Sequence, residues 1–116
     1  MGNDIVNILN IYAPNNIKER KQFFDSLYPW TEKCFSDNYY TVIAGDFNCA
    51  LTTEDRSSGK IDLCSKSLAE LMKQFNVVDI WKSKNPNDIG FTWGYNNKRT
   101  SSSRIDYIFC PKVFPV

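Results

Sequence analysis

Two runs of β-branched and aromatic residues constrain this chain more than any other feature. Ile5-Val6-Asn7-Ile8-Leu9-Asn10-Ile11-Tyr12 is apolar at odd and even positions alike and stops at Ala13-Pro14-Asn15. Tyr39 to Gly45 repeats that pattern around Val42-Ile43-Ala44. A strand with one wet face alternates apolar and polar residues, whereas these two are expected to be covered on both faces. Between them, Asn16 and Glu19 have the spacing of a capping box that opens a helix. Phe23, Leu27, Trp30 and Cys34 then recur at steps of four, three and four, a single apolar stripe. Pro29 falls inside that stripe and predicts a kink or a break.

The remaining chain continues the alternation of strand and helix. Residues 52–62 are polar and read as a loop. A second helix is expected with Cys64, Leu68, Leu71 and Phe75 on one face, Ser67 and Glu70 capping its start and Asn76 ending it. Val77 to Trp81 reads as extended chain, 82–90 as a loop, Phe91-Thr92-Trp93 as a short strand and Gly94 to Ser103 as a polar turn. Arg104 to Phe109 is the last predicted strand, with Pro111 and Pro115 ending regular structure. Strands alternating with helices in 116 residues give an α/β layered fold of a single domain.

Composition narrows the chemistry. A net charge of +1 excludes nucleic-acid binding by bulk charge, so any such binding has to be local. The chain has no histidine, which removes Ser-His-Asp triads, Cys-His dyads and His-ligated zinc. Its four cysteines, at 34, 49, 64 and 110, form no CxxC pair and read as reduced thiols of a nuclear or cytoplasmic protein that is not secreted. No apolar run approaches the ~18 residues of a membrane span, so no membrane partner is expected.

Asp46 and Asn48 stand two apart at the end of the second strand, where side chains i and i+2 point the same way. In α/β sheets ligands sit beyond the carboxyl ends of strands, and Gly45 allows a ligand close to the backbone. Taken alone, Gly-Asp-Phe-Asn reads first as a turn, because strand ends are rich in these residues. In Arg104-Ile105-Asp106-Tyr107-Ile108-Phe109, Asp106 is an acid among apolar strand residues, costly unless paired or functional. Its plain explanation is a pair with Arg104 on a solvated face. Thr92 could present its hydroxyl to the same cleft, although a strand threonine needs no special reason. Tyr12, before Pro14, is more often a core or rim tyrosine than a catalytic one.

The order of these motifs says more than any of them alone. Asn10-Ile11-Tyr12-Ala13-Pro14-Asn15, Gly45-Asp46-Phe47-Asn48, Phe91-Thr92-Trp93 and Ser103-Arg104-Ile105-Asp106-Tyr107-Ile108 together resemble the endonuclease/exonuclease/phosphatase superfamily. The nearest likeness is to the endonuclease of LINE-type non-LTR retrotransposons, with Asn48-Cys49-Ala50-Leu51, Asp55 and Asp79-Ile80-Trp81 before Pro86 matching its connecting segments. The resemblance implies a partial domain over 1–116: an incomplete two-sheet α/β sandwich, DNase I-like, lacking N-terminal strands and the C-terminal closing segment. It also implies DNA as partner and hydrolysis of phosphodiesters by an activated water, with Mg (or Mn) bound weakly. Asp46 would orient or deprotonate the water, and Asn48 would hold Asp46 and a phosphate oxygen. Tyr12 and Asn15 would contact the phosphate, Asp106 would orient a catalytic histidine, and Thr92 and Arg104 would line the DNA cleft. The chain departs from that pattern in having only eleven residues before Tyr12 and no histidine. The metal-binding Glu of the family is therefore not matched, and the expectation is a fragment inactive alone. The alternatives are a non-catalytic nucleic-acid- or protein-binding remnant and a phosphatase-like or phospholipid-directed member. Strands built for an interior also predict self-association through an exposed sheet edge.

Overall fold

A computed structural model describes residues 5–33, 39–94 and 102–112. Its centre is a mixed four-stranded sheet of β1 (Ile5–Tyr12), β2 (Tyr39–Asp46), β3 (Val77–Asp79) and β4 (Asp106–Pro111), in the order β1-β2-β4-β3. β1 and β2 run parallel, with Ile8 opposite Val42 and Tyr12 opposite Asp46. Parallel neighbours need a crossover, supplied here by α1 (Ile17–Ser26) and α2 (Tyr28–Lys33). β4 lies antiparallel to β2 and to β3.

Local chemistry accounts for the helix boundaries. The Asn16 side chain accepts the N–H groups of Lys18 and Glu19 and starts α1. The helix stops at Leu27, two residues before Pro29, because a proline ring collides with the carbonyl four residues earlier. Pro29 itself sits in the first turn of α2, where it is tolerated. The second predicted helix is α3 (Ser65–Phe75), closed by Asn76 in the left-handed conformation. It begins upstream of Ser67 and Glu70, which therefore lie inside it and do not cap it. Val77 to Trp81 is not extended throughout: Asp79 accepts the Lys82 N–H and opens α4 (Ile80–Lys84). Phe91-Thr92-Trp93 forms only an isolated bridge from Trp93 to Ser103, and β4 starts two residues later than predicted. Cys34 and most of the Gly94–Ser103 turn lie outside the described residues.

The core lies on one face of the sheet. Ile11, Ile43 and Phe109 meet Phe24 of α1 and Leu68, Leu71 and Phe75 of α3, all buried. Phe47, just past β2, packs edge-on against Tyr107 and Phe109 at ring separations of 5.7 and 5.2 Å. Each such side chain contributes about 1.5–3 kcal/mol by leaving water. Cys49 and Cys64 are buried beside this core, and burial is the first cause of their raised thiol pKa values, so both stay protonated.

The opposite face corrects the expectation of two-sided cover. Val6 and Ile8 on β1 are exposed, Ile8 at 70%, as is Ile108 on β4. The register puts Ile8 beside Val42 and Ala44 beside Ile108, so they form one continuous apolar surface. Its edge is β1, eight residues without a charge.

Candidate active site

β2 delivers Asp46 to the carboxyl end of the sheet, and the next three residues lock it there. Asn48 adopts a left-handed conformation (φ 48°), which ends the strand alternation. Its backbone N–H donates to Asp46 Oδ1 at 2.9 Å, closing an Asx turn. Its side-chain amide does not follow the carboxylate outward; it turns back and donates to the Ala13 carbonyl at the end of β1. The Ala13 N–H returns a bond to the Asp46 carbonyl at 2.8 Å. The turn and the potential site are thus the same structure.

Register then places three candidate side chains in a row. Tyr12 is the partner of Asp46 across β1–β2, and Asp46 is the partner of Asp106 across β2–β4. Directly opposed residues of antiparallel strands lie about 4.5–5.5 Å apart at Cα and share a face, so the two carboxylates are neighbours. None of the ion pairs among the described residues involves either of them. Two adjacent carboxylates repel and favour a cation or a strongly polarised donor between them. Tyr12 is 77% exposed and stands open beside them.

Beside this row opens a cleft of about 700 Å³, with Asp46, Thr92 and Asp106 on its polar side and Trp81, Phe91 and Ile108 on its apolar walls. Thr92 is exposed at the cleft, and its hydroxyl oxygen is engaged as an acceptor. Its Oγ1 accepts the N–H groups of Ile105 (3.1 Å) and Asp106 (3.3 Å), which fixes where β4 begins and hence where Asp106 stands.

Arg104 is the clearest departure from the sequence reading. It does not pair with Asp106; it lines the cleft while being only 3% exposed. Its Nε donates to Asp55 at 2.8 Å and its Nη2 to Asp79 at 2.5 Å. The guanidinium lies 5.0 Å from the Trp81 ring and 4.7 Å from the Tyr107 ring. Burial opposes its charge, but the bonds to Asp79 and Asp55 outweigh that and raise its pKa. The strand alternation that put Arg104 with Asp106 fails because β4 starts only at Asp106. At Gly45 the backbone that approaches closely is Ile11 of β1, and Gly45 also lines the cleft.

Asn15 is exposed, and its carbonyl accepts Arg20 Nη2 at 2.7 Å. In the sequence Asp55 and Asp79 stood out only as matches to the family's connecting segments, with no role attached, and Arg20 went unremarked. Asp79 also carried a local sign, an Asp between a strand and a helix; Arg20 acts across the fold and carried none. Tyr107 completes the frame: its hydroxyl lies between the carbonyls of Cys49 (2.8 Å) and Arg104 (2.7 Å) and accepts the Leu51 N–H (3.0 Å). Burial, reinforced by Asp55, raises its pKa and keeps it a neutral donor.

A metal ion does not find a complete cage here. Among the described residues no three His, Cys, Asp or Glu side chains converge, and the row offers two carboxylates. Among the described residues, two carboxylates do not by themselves fit a resident divalent ion.

The sequence pattern of the Endonuclease/Exonuclease/phosphatase family matches residues 3–115. The chain is 40% identical over 105 residues to the Transposon TX1 uncharacterized 149 kDa protein of Xenopus laevis, covering 89% of this chain and 8% of that protein. Among solved structures, the 3'-5' exonuclease NExo of Neisseria meningitidis superposes with a TM-score of 0.76 at 20% identity. An AP endonuclease of Archaeoglobus fulgidus superposes with a TM-score of 0.72 at 22% identity. Each match covers 90% of this chain and 48% of the other, so the chain spans about half the length of these structures. What is shared with them is the fold, a DNase I-like mixed sheet with helices.

Proposed function

The chain belongs to the endonuclease/exonuclease/phosphatase family, and from that premise we propose that it is part of a DNA endonuclease domain of the retrotransposon type. The observation that carries this reading is the row of Tyr12, Asp46 and Asp106 on one open face beside the cleft. In this reading Asp46, its Oδ1 held by the Asn48 N–H, keeps its other oxygen for orienting or deprotonating the water that attacks phosphorus. Tyr12 and Asn15 donate to the phosphate, where charge develops. Asp106, set by Thr92, orients a histidine that this chain does not contain. Arg104 has no part in phosphate binding and serves the frame. Divalent-metal dependence and the residues 1–116 being a partial domain belong to the same proposal. A nuclear or cytoplasmic setting goes with a DNA substrate; among the described residues no helix is long and apolar enough to cross a membrane.

The chain alone is expected to bind duplex DNA weakly and to nick supercoiled plasmid no faster than its Asp46→Ala variant in magnesium. A missing acid–base group and a missing charge-stabilising group each commonly cost a factor of ~10² or more. Magnesium-dependent nicking that Asp46→Ala abolishes would overturn the inactivity, and absence of both nicking and duplex binding would overturn the nuclease reading.

A second expectation follows from the open face. β1 is an uncharged edge strand beside exposed Val6 and Ile8, which makes it a template for another strand. We propose self-association through that edge, giving light-scattering masses on size exclusion that rise with concentration. A constant monomer mass would refute it.

A further inference from the structure

We propose that Arg20 is a positioning residue for the cleft, a guanidinium that ties the Tyr12–Asn15 segment to the Asp46–Asn48 turn. Its Nε donates to the Pro14 carbonyl at 3.2 Å, its Nη2 to the Asn15 carbonyl at 2.7 Å and its Nη1 to the Asn48 carbonyl. Asp62 stands 3.9 Å from Nη1 and holds the charge, and the Arg20 side chain is 11% exposed. These two segments carry Tyr12, Asn15, Asp46 and Asn48. They are also joined by the Tyr12–Asp46 end of the β1–β2 pairing, by the Asn48 amide on the Ala13 carbonyl and by the Ala13 N–H on the Asp46 carbonyl.

The placement follows from the sequence one turn at a time. Asn16 caps α1, the Arg20 N–H bonds the Asn16 carbonyl at 2.8 Å, and the side chain one turn into the helix lies back over the residues preceding the cap. Reaching three carbonyls from one head needs the planar fork of arginine, which lysine lacks. Loss of the fork releases the Pro14–Asn15 segment from the Asn48 carbonyl while leaving the sheet register and the α1–α3 core in place. Arg20 touches no reacting atom; it acts through the backbone that carries Asn15 and Asn48.

This inference deepens the nuclease reading, and its test separates the two. Arg20→Lys and Arg20→Met are compared with the unaltered chain, and Leu71→Ala serves as a core variant of lowered stability. The readouts are amide hydrogen exchange and the affinity of a short DNA duplex by fluorescence anisotropy at several salt concentrations. Both Arg20 variants are expected to lose protection at the Ala13 and Asn48 amides by about tenfold or more, the scale of one hydrogen bond to a charged group. Phe109 and Cys110 of β4 keep theirs. Duplex affinity falls by a similar factor with an unchanged dependence on salt, and Arg20→Lys does not restore it.

Restoration by Arg20→Lys would show that charge alone suffices and overturn the proposal. So would a salt slope reduced by about one, the sign of a direct phosphate contact, or equal local losses in Leu71→Ala. If the unaltered chain binds no duplex, the nuclease reading fails and the exchange measurement alone decides the role of Arg20.

Discussion

Arg104→Ala is expected to remove about 3–5 kcal/mol of stability, the cost of breaking a buried ion-pair network by deleting one member. Its side chain is 4% exposed and those of Asp55 and Asp79 are 5% and 13% exposed. Deleting the guanidinium leaves one buried and one part-buried carboxylate without their counter-ion and a gap between the Trp81 and Tyr107 rings. The loss spreads because Arg104 joins three parts of the chain. Asp55 ends the short 3-10 helix Thr53–Asp55 after the Asx turn, Asp79 caps α4, and the Arg104 N–H bonds the Asp55 carbonyl at 2.7 Å. Native proteins have about 5–15 kcal/mol in total, so the variant should lose a large share of its stability. Urea denaturation measures it, and a loss below about 1 kcal/mol, no more than one ordinary hydrogen bond, would show that the network has no net stabilising role. Arg104→Lys keeps the charge but loses the fork, so it should recover only part of the deficit.

Gly45→Ala carries the second large effect, for a steric reason. Gly45 has φ +138°, and an added Cβ would lie 2.0 Å from the Ile11 carbonyl oxygen and 2.9 Å from two further backbone atoms of Ile11. The clash is with backbone in the neighbouring strand, so no rotamer relieves it. β1 would have to separate from β2 next to the Tyr12–Asp46 pair. We expect a loss of about 3 kcal/mol or more, combining backbone strain with a forced shift of packed structure. Gly59→Ala is the control: φ is positive there too, at +69°, but nothing lies within 4 Å of the added Cβ. Its cost should stay near ~1 kcal/mol, the strain of a left-handed residue alone. Equal losses in the two variants would show that the strand contact is unimportant.

Both effects lie in residues whose identity was plain in the sequence and whose purpose was not. Arg104 read as a partner for Asp106 or for phosphate because alternation along a strand was the only guide to its direction. Gly45 read as room for a ligand because a glycine beside a strand-end acid has the same local sequence whether a ligand or a strand approaches it.

What the sequence determined by itself was everything that depends on near neighbours and on motif order. The spacing of Phe23 and Leu27 and the cap at Asn16 specify α1, and Pro29 sets where it must stop. Leu68, Leu71 and Phe75 specify the buried face of α3, and β1 and β2 follow from their β-branched runs. The four ordered motifs were enough for the family. The tertiary structure decided what depends on distant neighbours. Arg104 meets Asp55 and Asp79 across separations of 49 and 25 residues, and Arg20 reaches Asn48 across 28. Asp106 comes beside Asp46 only through an antiparallel register between strands far apart in sequence. The open face is likewise a tertiary fact, because an apolar strand surface has the same sequence whether a layer covers it or not. Local sequence fixes torsions and periodicity over a few residues; register, ion-pair partners and burial are set when chain segments meet through space.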